Sequence, residues 1–356
     1  PKRKLAFALL VVIAVAIAPL LPRMAVLGRL VRLGGIVVAA MVVLELGLFA
    51  HSAWPIYSAR SDALAAPSWM PLLQRTASEA PTARVMGLDG RLTPDTSGVF
   101  GLQSIGAIDA LYPARYLDYV RAFLEPTAVD RFSEWPGFDA RNAARDPMFR
   151  LTGTRWLVQS ADADAWPSLR GDDSPAPVVA TDDLIAVRDL ERALPRAFLV
   201  GRFESATGPT QAVEVLRARL ADRDVPFDPL REAVIEPGSA VLPAPCAEAS
   251  RGTTLIRVYQ PRRVEIEVDA PCPAMLVLTD IAFPGWVARV GGDVVPILPT
   301  DLAFRGVAVP RGRSRVVVAY EPRSFRNGLV AAAAGFAVMV IGSLVIRRRV
   351  SASGVH

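Results

Sequence analysis

The chain has 356 residues, of which 52% are hydrophobic, with 40 basic and 35 acidic side chains and a formal net charge of +5. This length accommodates two compact domains together with membrane segments. Nine basic residues (Lys2, Arg3, Lys4, Arg23, Arg29, Arg32 and Arg347 to Arg349) flank hydrophobic runs, and 31 basic against 34 acidic residues then remain outside those runs, a near-neutral balance that excludes the clustered basic surface of a nucleic-acid partner.

Three hydrophobic runs stand out. Leu5 to Leu21 is short and is interrupted by Pro19 and Pro22; Leu33 to Ala50 is a better span; Leu329 to Ile346, closed by Arg347, Arg348 and Arg349, is the clearest. The charge rule for membrane helices puts Arg23, Arg29, Arg32 and Arg347 to Arg349 in the cytoplasm and residues 51–328 outside it. Lys2-Arg3-Lys4 then falls on the outer side, against the rule, and the expectation is that further chain precedes Pro1.

Between the runs, Arg84–Leu88 reads as a strand and Pro113–Leu124 as a helix with Tyr116, Val120 and Phe123 along one face. Arg155–Gln159 and Ala197–Val200 are apolar strands. Thr210 to Leu220 is a helix that Thr210 can cap, with Val213, Leu216 and Leu220 at helical spacing, and Val234-Ile235 returns as a strand. From about residue 243 the pattern changes to period two. Leu255, Arg257 and Tyr259 oppose Ile256 and Val258, and Val264, Ile266 and Val268 alternate with Glu265, Glu267 and Asp269. Strands 253–259 and 264–269 form a hairpin, and Cys246 and Cys272 lie just beyond its open ends. They are a disulfide candidate in an oxidising compartment, or else two separate buried thiols.

The expected fold is a membrane-anchored α+β protein. It comprises two transmembrane helices in residues 1–50, an extracytoplasmic α/β region over 51–242, and an antiparallel, jelly-roll-like β-sandwich over 243–323. A transmembrane helix at 327–348 and a cytoplasmic tail at 349–356 complete it.

The order of short motifs carries more. An apolar strand Leu276–Asp280 runs into Phe283-Pro284-Gly285-Trp286, followed by Gly291-Gly292-Asp293, Pro296-Ile297, Ala303 to Val307, Pro310–Gly312 and Tyr320-Glu321-Pro322 before the last hydrophobic run. Upstream stand Arg84-Val85, Gly106–Tyr116, Phe149–Val158 and Pro195–Val200. In this order and spacing the chain resembles the C-terminal end of the YfhO-like bacterial membrane proteins, relatives of the GT-C glycosyltransferases. The resemblance implies a polyprenyl-phosphate-linked sugar donor, an envelope-glycan acceptor, contact with membrane lipid, and no cofactor. It also implies a catalytic acid upstream of this chain, so it assigns no catalytic residue here.

Chemistry within the chain is sparse. Only His51 and His356 occur, which excludes a Ser-His-Asp triad and a histidine-rich metal site, and no phosphate-binding glycine loop is present. Asp109, Arg115 and Tyr116 either line a donor or acceptor cleft or form a capping and ion-pair network. Trp286 is a sugar-stacking platform or a core anchor, and the apolar alternation into Val287 and Val290 favours the core. Glu45, inside a hydrophobic run, is a functional group or a snorkelling one. The competing function is a non-catalytic, membrane-anchored module that binds glycan or protein.

Overall fold

The structure is a computed structural model and describes residues 25–53, 66–88, 91–92, 96–105, 113–126, 147–163, 175–191 and 193–352. The chain divides into two compact units, Pro1–Ala65 and Ala66–His356. The described part of the first is helix α1 (Ala25–Ala53), whose apolar stretch Leu33–Phe49 is exposed. Everything below concerns the second unit.

Its first sheet has the order β1 (Arg84–Gly87), β2 (Thr154–Ser160), β4 (Ile185–Asp189), β3 (Val178–Thr181), parallel between β1 and β2 and antiparallel elsewhere. Successive side chains of a strand point to opposite faces, and β2 uses both. Trp156 and Val158 pack with Met70 and Leu73 of α2 (Met70–Ser78), whereas Leu157 joins a larger core on the other side.

The second sheet has six strands in the order β5 (Ala197–Val200), β10 (Ala274–Ile281), β14 (Phe304–Val309), β13 (Leu298–Thr300), β7 (Glu232–Ile235), β6 (Arg202–Ser205). The third has five, all antiparallel: β12 (Asp293–Val295), β11 (Trp286–Val290), β15 (Gly312–Tyr320), β9 (Arg263–Ala270), β8 (Thr253–Gln260). These two sheets pack as a β-sandwich. Ala274, Leu276 and Leu278 of β10 meet Val264, Ile266 and Val268 of β9 and Val316 and Val318 of β15 in one buried cluster. The alternate β10 residues, Met275 and Val277, face the other way. There they pack with Leu117, Tyr119 and Val120 of α4 (Ala114–Tyr119) and its π-helical extension Val120–Leu124, with Phe149 of α5 (Pro147–Leu151), and with Leu216 of α6 (Pro209–Ala221). Helix α3 (Thr96–Val99) lies between β1 and α4 in the chain. Each buried Leu, Val or Ile side chain contributes roughly 1.5–3 kcal/mol of transfer free energy, and β10, buried from Ala274 to Asp280, adds to the two cores that meet there.

Three readings of the sequence need correction. Residue 243 is not a domain boundary: β5, β6 and β7 precede it yet share a sheet with β10, β13 and β14, so sandwich and α/β region form one body. The β8 alternation is broken by a bulge at Arg257, since Ile256 pairs with Ile266 but Val258 pairs with Glu265. A bulge reverses the facing of every residue beyond it, and Tyr259 therefore turns inward with Ile256 while Leu255 stays exposed. Thr210 is not the cap of α6. The helix opens at Pro209 after Gly208, and Gln211 folds back to accept from the backbone N–H and hydroxyl of Thr207 (2.7 and 2.8 Å).

Cys246 and Cys272 are joined in a disulfide, with Cα atoms 6.6 Å apart. Cys246 donates its backbone N–H to Gly201 (2.8 Å), and a side chain at Gly201 would collide with the Cys246 carbonyl (1.8 Å), so the bridge fixes the segment before β8 against the β5–β6 junction. It closes a loop of 26 residues, for which chain entropy gives roughly 3 kcal/mol of stabilisation. Reduction, or Cys272→Ala, is expected to lower the thermal midpoint. Peptide mapping under non-reducing conditions that finds two free thiols in the mature protein contradicts the bridge.

Candidate functional site

The sheets converge on one carboxylate. Asp280 lies near the end of β10, and its side chain is 12% exposed. Its Oδ1 accepts from the Tyr259 hydroxyl of β8 (2.8 Å) and from Nη2 of Arg84 of β1 (3.2 Å), and it stands 3.6 Å from Nη1 of Arg196; Oδ2 lies 4.0 Å from Nη1 of Arg305 of β14. Arg84 also donates to the carbonyls of Thr152 and Thr279, and Arg305 Nε donates to the Ile281 carbonyl (3.0 Å). Three guanidinium groups thus surround one carboxylate, and the side chains of Arg196 and Arg305 are only 2% and 3% exposed. Burial, with the repulsion of Arg84 added, lowers both to about 10, still well above neutral pH, so both stay charged. Burial and the neighbouring Asp280 push the Tyr259 phenol up to about 12, so it remains a donor.

Arg305 also forms one wall of a cleft of about 540 Å³, shared with Phe283, Trp286, Ile297, Pro113 and Arg115. Its guanidinium carbon sits 3.7 Å from the centre of the Trp286 ring and 5.7 Å from that of Phe283, both within cation–π range. Trp286, Phe283 and Tyr320 form a triangle with ring centres 5.3 to 6.0 Å apart. Gly285 makes this possible. Its φ is +105°, and a Cβ there would lie 2.6 Å from the Tyr320 ring, so only glycine brings the turn this close. The same turn is tied to the end of β15 by Glu321 N–H donating to Gly285 (2.7 Å) and by a bidentate Arg289–Glu321 pair (2.8 and 2.9 Å).

Helix α7 (Arg323–Ala352) starts two residues after β15. Its segment Arg323–Gly342 is 20 residues long, apolar and wholly exposed, the one described helix long and apolar enough to cross a membrane. At 1.5 Å per residue it spans about 30 Å, the thickness of a bilayer core.

The residues singled out from the sequence fare differently. Trp286 and Arg115 both line the cleft. Trp286 is only partly buried, packing on the sandwich core with one face under Arg305, so it is both an edge of the core and a wall of the cleft. Arg115 is held by Glu236 through two bonds (2.6 and 2.9 Å) and donates to the Leu302 carbonyl (3.0 Å); its pKa is raised, chiefly by the bonds to Glu236. Tyr116 donates its hydroxyl to Ile105 (2.6 Å), and burial pushes it up to about 12. Glu45 is exposed on α1, in the other unit, and Asp109 lies outside the described residues. Sequence reading missed Asp280, Arg196, Arg305 and Tyr259. Only the Thr279-Asp280 step, a carboxylate closing an apolar strand, stood out locally. Among the described residues no three His, Cys, Asp or Glu side chains gather to hold a metal ion. No family model, curated protein or solved structure matches the chain.

Behind the cleft, the β13–β14 turn carries two non-glycine residues at positive φ, Asp301 (47°) and Leu302 (69°), both fully buried. Each such residue costs about 1–3 kcal/mol, offset by burial of Leu302 in the core and by the Val234 N–H, which donates to Asp301 Oδ1 (2.8 Å). Burial pushes the Asp301 carboxyl up to about 7 from an ordinary 3.8. A group whose folded pKa is raised favours the folded state fully below its unfolded value and loses that contribution as pH rises through the folded one. Stability is therefore expected to fall from about pH 4 to about pH 7, and Asp301→Asn, which keeps the acceptor for Val234, should flatten the fall. An equal slope of thermal midpoint against pH in the variant contradicts this assignment.

Proposed function

We propose that this chain is the extracytoplasmic binding and anchoring part of a bacterial, multi-pass membrane protein that transfers sugars from a polyprenyl-phosphate carrier to cell-envelope polymers. The order of the motifs, which resembles that of YfhO-like proteins, supports the sugar-transfer class. One structural observation carries the binding role. The cleft walled by Phe283, Trp286 and Arg305 adjoins the point where β15 passes into α7, with Glu321 and Pro322 between them. With α7 crossing the bilayer and Arg347 to Arg349 on the cytoplasmic side, this cleft opens at the outer membrane surface, where a lipid-linked sugar presents its headgroup. Aromatic residues at a membrane interface keep an apolar face toward the chains and a polar edge toward water, and an indole wall suits the apolar face of a sugar ring. The disulfide supports an oxidising compartment.

Among the described residues, the cleft lining contains two arginines, aromatic rings and prolines but no carboxylate. This lining supports binding rather than proton transfer as the cleft's contribution. That same feature favours the second reading, a membrane-anchored glycan-binding module without catalysis of its own.

The test is genetic and chemical. Loss of the gene encoding this chain is expected to deplete one sugar of the envelope polymer, and wild type to restore it. A Phe283→Ala, Trp286→Ala variant, checked for membrane insertion after alkaline extraction, should restore it poorly. Polymer composition unchanged on loss of the gene would sink the sugar-transfer reading, while glycan binding retained by the purified chain would then favour the module.

A further inference from the structure

The charge balance behind the cleft is unequal. Arg84, Arg196 and Arg305 bring three positive charges to the single carboxylate of Asp280, and Arg196 and Arg305 are almost fully buried. A buried charge without a counter-charge is costly, so such an excess calls for an anion that arrives from outside. The unmet donors of the cleft residues mark where, since Nε and Nη1 of Arg196, unmet as well, lie away from the cleft. Arg305 Nη1 reaches Asp280 Oδ2 only at 4.0 Å and makes no hydrogen bond, and Trp286 Nε1, on the ring beneath the same guanidinium, makes none either. Both residues line the cleft. Arg115, the other arginine of the lining, is occupied by Glu236 and offers no comparable vacancy.

We infer that the Arg305 end of the cleft is an anion site that takes a phosphate-bearing lipid headgroup at the membrane surface. The inference rests on the membrane-surface reading above and deepens it. Arg305 Nη1 and Trp286 Nε1 are both closed to solvent. A small rotation of the guanidinium, away from its long contact with Asp280, presents Nη1 to a phosphate oxygen. A guanidinium is suited to this because its planar fork matches phosphate oxygens. Arg84 stays behind it, held by Thr152, Thr279 and Asp280, and so does Arg196, which lies 3.6 Å from Asp280 and over the Tyr259 ring; neither lines the cleft, and both supply field rather than contacts. The aromatic triangle at the head of α7 then flanks the glycerol or prenyl end of the ligand. No bond forms or breaks in this step.

The experiment uses the full chain purified in non-ionic detergent, with binding followed by titration calorimetry. Three probes are compared at constant ionic strength: dioctanoyl phosphatidic acid, its uncharged counterpart dioctanoylglycerol, and inorganic phosphate. Phosphatidic acid is expected to bind, dioctanoylglycerol not, and inorganic phosphate to compete weakly. Arg305→Gln should weaken phosphatidic acid by about tenfold or more, the loss of a charge-assisted bond. Trp286→Phe, which keeps the ring and removes the N–H, should weaken it several-fold with an unchanged thermal midpoint. Arg305→Lys serves if the glutamine variant does not fold, and should retain part of the affinity. Wild type that binds no phosphate probe, or binding equal in wild type and both variants, overturns the site. Inorganic phosphate binding without phosphatidic acid overturns the lipid assignment, whereas the sugar-transfer reading fails separately, by an unchanged envelope composition.

Discussion

One carboxylate fixes how the three sheets meet. Asp280 is reached by Arg84 from the four-stranded sheet, by Tyr259 from the five-stranded sheet and by Arg305 from its own six-stranded sheet, with Arg196 entering just ahead of β5. Charged groups this deeply buried are costly unless paired and hydrogen-bonded, so acceptors from the neighbouring backbone matter. It supplies them in part: the carbonyls of Thr152 and Thr279 take N–H groups of Arg84 and that of Ile281 takes Nε of Arg305, whereas Nε and Nη1 of Arg196 and Nη1 of Arg305 have no acceptor. The apolar cores on either side of β10 provide the bulk of the stabilisation, but being non-directional they do not by themselves set the angle and register of one sheet against the next. The ion cluster does.

The same cluster shapes the cleft. Because Arg305 is drawn back toward Asp280 and Ile281, its flat face is left against Trp286. The indole is in turn wedged by Tyr320, which approaches closely only because residue 285 is glycine. Thus the aromatic wall, the cationic end of the cleft and the root of the apolar helix α7 are held by one short turn, Phe283 to Trp286, and its ties to Glu321. On the far side the strained Asp301-Leu302 turn offers its carbonyl to Arg115 and so braces α4 against the sheet.

Much of the secondary structure was legible because it follows local rules. The period-two run of β9, the apolar strands β2 and β5 and the long apolar stretches of α1 and α7 are all written in residue type and spacing. The cysteines could be placed beside one hairpin because its strands were readable. What could not be read depends on contacts between distant residues. Nothing near residue 243 reveals that β5 and β7 complete the sheet of β10, since strand pairing across tens of residues leaves no local pattern. The bulge at Arg257 replaces one alternation with its mirror, and only the pairing with Glu265 exposes it. The arginines of the cluster are hidden for another reason: in a chain this rich in arginine no single one stands out, and only the fold singles out the three that meet at Asp280.

The most direct test of this account is the unfolding free energy of Asp280→Asn in the full chain. The substitution keeps an acceptor for Tyr259 but leaves three buried guanidinium groups without a counter-charge. Breaking a buried pair of this kind costs about 3–5 kcal/mol. The account predicts a loss of that order, partly restored by added inorganic phosphate more than in wild type. An Asp280→Asn protein as stable as wild type, with no greater response to phosphate, would contradict it.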